Sequence, residues 1–121
     1  MAILAAGALI GGAIMLSDGS SESWQADNVS IINGTQIVEV TAKGKYAPRH
    51  TSAQANMPTV LKVKTMGTYD CTTALSVPAI AYNTMLPPTG ETRIELPPQK
   101  PGSTVRGVCA MGMYNFEVQF N

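Results

Sequence analysis

Four sulfur-bearing side chains have the most distinctive chemistry in this chain of 121 residues. Three of them belong to one short segment, Cys109-Ala110-Met111-Gly112-Met113-Tyr114, directly before the last predicted strand. Because side chains two apart in an extended chain share a face, Cys109 and Met111 start on the same side. Gly112 allows a turn that would bring Met113 toward them. The spacing therefore predicts three converging sulfur atoms.

The fourth sulfur belongs to Cys71, which lies upstream in Thr68-Tyr69-Asp70-Cys71-Thr72-Thr73, just past a predicted strand. A β-sandwich would bring this position beside Cys109. Thiolate and thioether donors select Cu(I), whereas Zn(II), Ni(II) and Cu(II) favour imidazole or carboxylate donors. The candidate metal ligands are therefore Cys71, Cys109, Met111 and Met113, and the candidate ion is Cu(I). Core packing is the competing interpretation of the methionines, because methionine also fills irregular gaps.

The two cysteines also admit a different interpretation, a structural disulfide in an exported β-sandwich. A bonded pair would leave no thiolate for a metal, and the closeness of the two methionines would then have no explanation. The matching function is a disulfide-stabilised structural or adhesion domain at the cell surface, without metal. The metal hypothesis accounts for more residues, and counting free thiols separates the two.

The residue inventory excludes several other functions. With one histidine, His50, and two cysteines, the chain cannot form a four-cysteine iron–sulfur cluster or a zinc site of four Cys and His ligands. A blue-copper electron-transfer site needs two histidines. Basic and acidic residues number eight each, so no positive surplus favours nucleic acid. Because no nucleophile and base arrangement is recognisable, we expect that the protein is not an enzyme.

The body of the chain has the composition of an all-β domain. Charged residues are only 13%, with 11 glycines and 8 prolines, which favours short strands and many turns. Asn33-Gly34, between Val29–Ile32 and Thr35–Val40, predicts a hairpin with a type I′ turn. Alternation of apolar and polar residues predicts further half-buried strands. These strands are Thr59–Thr65, Thr92–Leu96 and Tyr114–Phe120.

The N-terminal residues 2–16 contain no charged or strongly polar side chain. They are typical of either the apolar region of a signal peptide or a membrane anchor. No basic region precedes them and no A-x-A cleavage site follows, although the stretch is shorter than the roughly 17–25 residues of a spanning helix. We favour an apolar helical anchor over residues 1–16, a linker over 17–28 and a domain over 29–121.

The flanking charges give a weak indication of orientation at the cell membrane. Acidic residues follow the apolar segment, and the first basic residue is Lys43. The positive-inside rule therefore favours a domain outside the cytoplasm, but so short a flank leaves the side of the membrane open.

A series of short motifs along residues 35–121 carries a family resemblance. They are Gly44-Lys45-Tyr46-Ala47-Pro48, Asp70-Cys71, Val77-Pro78, Leu86, Gly90-Glu91-Thr92, Pro101-Gly102 and Cys109-Ala110-Met111-Gly112-Met113-Tyr114. Together they resemble the cupredoxin-like copper-handling domains of bacteria, in particular the CupA-type membrane-anchored Cu(I) chaperones and the N-terminal metal-binding domain of some copper-exporting P-type ATPases. The pattern departs at Gly107 and Val108, which stand where an aromatic residue is expected.

The resemblance implies a Greek-key sandwich of the cupredoxin-like kind and a binuclear, all-sulfur Cu(I) site. In such a site Cys71 and Cys109 bridge two ions, and Met111 and Met113 complete one of them. It also implies a role in copper resistance as a chaperone that transfers Cu(I) to a copper-exporting ATPase. We expect the chain to be a monomer.

Overall fold

The structure, a computed structural model, describes residues 24–121, which form two five-stranded sheets. Two short 3-10 helices, Cys71–Thr73 and Pro78–Ile80, interrupt the strands. The strands are β1 Val29–Ile32, β2 Thr35–Ala42, β3 Tyr46–Ala47, β4 His50–Ala53, β5 Thr59–Thr65, β6 Ala74–Val77, β7 Tyr82–Met85, β8 Gly90–Leu96, β9 Thr104–Cys109 and β10 Asn115–Phe120.

Helical structure in the described part of the chain is limited to those two short 3-10 helices. Residues 24–121 contain no helix with the length and apolar character needed to cross a bilayer. The predicted N-terminal helix and membrane anchor lie outside the described residues. The all-β prediction for the body of the chain is confirmed.

The ten strands are divided between the two sheets, and the chain passes repeatedly from one sheet to the other. The first sheet has the order β1-β2-β5-β8, with β3 paired to β2, and the second has the order β4-β10-β9-β6-β7. Two neighbouring pairs, β2 with β5 and β4 with β10, are parallel. Parallel neighbours need such crossover connections, whereas antiparallel neighbours can be joined by tight turns.

The predicted hairpin is present, and its turn residues explain why. Asn33 and Gly34 have φ angles of 49° and 80°, the left-handed conformation that a type I′ turn requires. Ile32 pairs with Thr35 across the turn. The second strand continues beyond the predicted end at Val40 to Ala42, because Thr41 and Ala42 pair with β3.

The core lies between the sheets and is built by the predicted alternation. In β5, Leu61 and Val63 are fully buried, whereas Lys62 and Lys64 face outward and form ion pairs with Glu39. In β10 the buried set is Phe116, Val118 and Phe120. Burying one face of each strand removes apolar surface from water, the main favourable contribution to folding.

Four connecting loops meet at one end of the sandwich, which we call the cysteine end. They are residues 43–45, 66–70, 86–89 and 110–114. Hydrogen bonds tie three of them together: the Gly44 N–H donates to Asp70 Oδ2 at 2.8 Å, and the Gly67 N–H donates to Thr89 Oγ1 at 2.9 Å. The fourth loop is fixed to β6, since the Ala110 N–H donates to the Ala74 carbonyl at 2.8 Å.

Candidate metal centre

Cys109 is the last residue of β9 and points into the sandwich. Alternate residues of this strand face the core, and Cys109 is 1% exposed. It pairs with Leu75 of β6, and its N–H donates to the Tyr114 carbonyl at 3.0 Å. The thiol of Cys109 is therefore held by the sheet itself.

Cys71 begins the first 3-10 helix, and Asp70 holds that helix in place. Asp70 Oδ1 accepts hydrogen bonds from the Thr72 N–H at 2.9 Å and from Thr72 Oγ1 at 2.5 Å, which is the geometry of an N-cap. Asp70 Oδ2 accepts from the Gly44 N–H. These hydrogen bonds stabilise the Asp70 carboxylate and lower its pKa, with Thr72 making the largest contribution. Asp70 thus fixes the backbone from which the Cys71 side chain leaves.

The two sulfur atoms are adjacent. Cys71 Sγ lies 3.0 Å from Cys109 Sγ, and both cysteines are free. A disulfide has a sulfur–sulfur distance of about 2.05 Å, so the contact is a hydrogen bond between a thiol and its neighbour. The structure therefore brings together two donors that are 38 residues apart in the chain.

The shared hydrogen bond gives the two thiols opposite pKa shifts. The hydrogen bond to Cys109, followed by burial and nearby negative charge, raises the pKa of Cys71 to about 11. Burial opposes ionisation of Cys109, but the hydrogen bond from Cys71 and those from backbone N–H groups of the following loop outweigh it and lower the Cys109 pKa. Cys109 is thus the more readily ionised of the two thiols.

Met111 and Met113 lie in the loop between β9 and β10, on the surface of the cysteine end. Gly112 has a φ of 74°, and its N–H donates to the Cys109 carbonyl at 2.8 Å, so the predicted break in the extended chain is present. Met111 is 71% exposed and Met113 63%. Neither side chain fills the core, which removes the packing interpretation. Their assignment, with the two cysteines, as Cu(I) ligands stays a prediction.

Tyr46, which the sequence analysis names only within the Gly44–Pro48 motif, is also a residue of the site. Its hydroxyl donates to the Thr72 carbonyl at 2.9 Å in a buried position, and its ring packs edge-on against Phe116 with centroids 5.1 Å apart. Burial, followed by the charges of Cys109, Cys71 and Asp70, raises the Tyr46 pKa. A tyrosine predicted to be buried needs a partner for its hydroxyl, which is the signal that would have identified it.

His50 does not join the sulfur atoms. Its ring lies 4.5 Å, between centroids, from that of Trp24. Within residues 24–121, no three His, Cys, Asp or Glu side chains come together in a metal-binding group. The candidate centre in this part of the chain is therefore the cysteine pair with the thioethers beside it.

We predict that Asp70→Ala lowers both stability and metal affinity. The change leaves the Gly44 and Thr72 N–H groups without their acceptor, which should lower the free energy of unfolding by about 1–2 kcal/mol. Loss of the cap should also weaken Cu(I) binding roughly tenfold or more, as removal of supporting groups does at other metal sites. Urea unfolding and chelator competition measure the two effects. The exposed Asp27→Ala serves as a control, and a wild-type result for Asp70→Ala on both measurements would contradict the positioning role.

Comparison with known proteins agrees with this architecture. A family model described as a cupredoxin-like domain matches residues 7–119. The chain belongs to the cupredoxin-like family. No curated protein matches the chain.

Two solved structures show the same cupredoxin-like fold. The metal-binding domain of the Cu(I)-exporting P-type ATPase CopA of Streptococcus pneumoniae D39, solved with Cu(I), has a TM-score of 0.71 and 19% identity, covering 83% of this chain and 99% of that domain. An NMR structure of a copper-binding protein in its apo form has a TM-score of 0.70 and 18% identity, covering 80% of this chain and 98% of that one. At these identities the similarity establishes the fold.

The cupredoxin-like chain replaces the expected aromatic residue before its sulfur motif with a glycine, and the structure gives the reason. Gly107 of β9 pairs with Phe116 of β10. A β-carbon at Gly107 would lie 2.2 Å from Cε2 of Phe116, and Phe116 is 1% exposed. The ring from the neighbouring strand therefore occupies the space that a side chain at position 107 would need.

Proposed function

We propose that this cupredoxin-like protein is a membrane-anchored Cu(I) chaperone that sequesters the ion with sulfur ligands and passes it to a copper-exporting ATPase. The main support is the contact of two free thiols, Cys71 Sγ and Cys109 Sγ, 3.0 Å apart. The exposed thioethers of Met111 and Met113 lie in the loop that follows Cys109. The two solved domains of similar fold are described as copper-binding, which agrees with the same cargo here.

Capture of Cu(I) in this proposal starts from the unequal thiols. Cys109, with its lowered pKa, ionises more readily than Cys71, and both thiols lose their protons when the ion binds. Two thiolates then bridge up to two ions, while the thioethers of Met111 and Met113 complete the coordination of one. Thioethers add no charge and do not titrate, so an ion that they share is released more readily than one held by both thiolates.

Release is directed by the unequal exposure of the donors. Cys109 is buried and Cys71 is half-buried, whereas both methionines are exposed. An acceptor sulfur therefore meets the thioether side of the ion first. Transfer proceeds by stepwise exchange of sulfur ligands and requires no catalytic acid or base.

The double change Met111→Ala and Met113→Ala tests the ligand set. It should remove the weaker copper and leave the tight one, because both thiolates remain. Anaerobic Cu(I) competition with a chromophoric chelator measures the two classes of site. The equally exposed Met66→Ala and Met85→Ala pair is the matched control. An unchanged stoichiometry in the Met111 and Met113 variant would remove the thioethers from the site.

The thiol count decides between this proposal and the disulfide alternative. Protein purified anaerobically without reductant should contain two reactive thiols for each chain. A quantitative bond between Cys71 and Cys109 under those conditions would favour a disulfide-stabilised structural domain at the cell surface.

A further inference from the structure

Large apolar side chains are concentrated on the surface of the cysteine end. Five of them occupy the loops there or the strand end beside them, and each is between 63% and 82% exposed. We call this set the apolar rim; it consists of Met66, Tyr69, Met85, Met111 and Met113. The proposed copper site uses only two of its members. An exposed apolar group of this size marks a contact surface.

Basic residues lie beside the apolar rim, on the stretch of chain that contains β3. Lys43, Lys45 and Arg49 are exposed in the connections before and after β3. The acidic group in these loops is Asp70, whose carboxylate accepts hydrogen bonds from the N–H groups of Gly44 and Thr72. Among the described residues, ion pairs join side chains of β2, β5, β8, β9 and β10, and none of them involves Lys43, Lys45 or Arg49. The cysteine end is therefore positively charged on a chain with no formal net charge.

The N-terminal residues join the sandwich toward this same end. Gln25 forms a parallel bridge to Thr51, donating to the His50 carbonyl at 3.0 Å and accepting from the Ser52 N–H at 2.8 Å. β4 is also parallel to β10, and β10 begins directly after the loop of residues 110–114. The bridged segment thus runs away from the cysteine end, and its first described residue, Trp24, is the part of it nearest that end.

The length of the connecting chain sets how far the rim can lie from a membrane. Residues 17–23 separate the apolar segment 2–16 from the first described residue, Trp24. Seven residues span at most roughly 25 Å when fully extended. A bilayer that holds residues 2–16 therefore lies within roughly 25 Å of Trp24.

We propose that the cysteine end rests on an anionic lipid surface, with Lys43, Lys45 and Arg49 at the headgroups and the three rim residues outside the copper site, Met66, Tyr69 and Met85, against the lipid. Exposed apolar side chains next to basic residues are the combination that binds such surfaces. The inference rests on the membrane attachment in the proposed function. It places the copper site at the plane of the membrane, where an exporting ATPase resides. The direction in which the N-terminal chain joins the sandwich favours lipid over a protein partner. An anchored chain holds this face near the membrane before any partner protein binds.

Depth-dependent fluorescence quenching on the full chain tests this orientation. Trp24→Phe removes the chain's only tryptophan, and a new one is placed at either end, by Tyr69→Trp or by Ile32→Trp. Ile32 is 57% exposed and lies at the opposite end of β2, eight residues long, so the probes are about 25 Å apart. Each variant is reconstituted into phosphatidylglycerol and phosphatidylcholine vesicles that contain brominated lipid.

The Tyr69→Trp probe should lose roughly half or more of its emission in the anionic vesicles, while the Ile32→Trp probe loses little. Replacing Lys43, Lys45 and Arg49 by glutamine should make the quenching of the two probes nearly equal. The reason is that each cation contributes about fivefold to surface partition. Salt at about 0.5 M should act in the same direction. Lys100→Gln, in the connection before β9, is the control and should change nothing.

Equal quenching of the two probes, or no dependence on anionic lipid, would overturn the inference. A Tyr69→Trp probe that lipid does not quench, and that becomes buried only after an acceptor protein is added, would also overturn it. That result would identify a protein-docking surface. Cu(I) titration of the same samples keeps the two proposals separate. Normal copper binding with an unquenched probe contradicts only the orientation, whereas a quenched probe without copper binding contradicts only the proposed function.

Discussion

Replacing Cys71 by serine is expected to abolish tight Cu(I) binding, lowering the affinity by roughly a thousandfold or more. The two sulfur atoms lie 3.0 Å apart. Removal of either leaves one thiolate where two are needed to hold an ion. A serine hydroxyl is a hard donor that stays protonated at neutral pH, and Cu(I) prefers soft sulfur. Cys109→Ser should have the same effect for the same reason.

Chelator competition measures the loss, with the folded state checked by thermal unfolding of the metal-free proteins. Cys71→Ser is the more informative variant, because Cys71 is half-buried whereas Cys109 is 1% exposed, and a hydroxyl there also costs stability. Ala110→Ser, exposed and next to Cys109, introduces the same side chain without removing sulfur and should titrate like wild type. Titrations of both cysteine variants that match wild type would reject the copper site.

The second large effect is expected from Gly107→Ala, a change of one methyl group. The added β-carbon would lie 2.2 Å from the buried ring of Phe116, so either the ring or the pairing of β9 with β10 must shift. Overpacking of this kind costs about 1–3 kcal/mol, and we expect the upper end because the contact is with a rigid ring in the core.

Urea unfolding of the reduced, metal-free protein measures this cost. Phe116→Leu leaves more space above position 107, so the double variant should be more stable than the sum of the two single changes predicts, by about 1 kcal/mol or more. A Gly107→Ala protein within about 0.5 kcal/mol of wild type, the range of a neutral surface change, would mean that the strands separate to accept the methyl group.

The long strands could be predicted from the sequence because each carries a strong local signal. Asn33-Gly34 specifies the first hairpin, and Thr59–Thr65 has the bounds of β5. The last strand, predicted over Tyr114–Phe120, is β10 at Asn115–Phe120, and it buries Phe116, Val118 and Phe120. The meeting of Cys71 and Cys109 followed from placing both at the end of a sandwich, a consequence of topology more than of spacing. Their use as copper ligands remains a prediction.

The short strands could not be predicted, because their pairing partners are distant in the chain. β4 and β7 are edge strands of four residues each, too short for alternation to be recognised. Residues 77–90 form the longest irregular stretch in the sequence, which does not decide whether a helical turn forms around residues 79–82. The structure has a 3-10 helix at Pro78–Ile80, after which Ala81 turns the chain with a φ of 52° into β7.

The position of the two sulfur atoms in the chain has a consequence for the lifetime of the protein. Cys71 follows the passage from β5 in the first sheet toward β6 in the second, and Cys109 lies 38 residues later. In the proposed function an ion held by both cysteines would close that loop as a removable cross-link, and only the folded chain offers both donors together, so loading would raise the free energy of unfolding. Cells short of copper would then degrade the empty chain sooner, and its abundance would follow the metal supply.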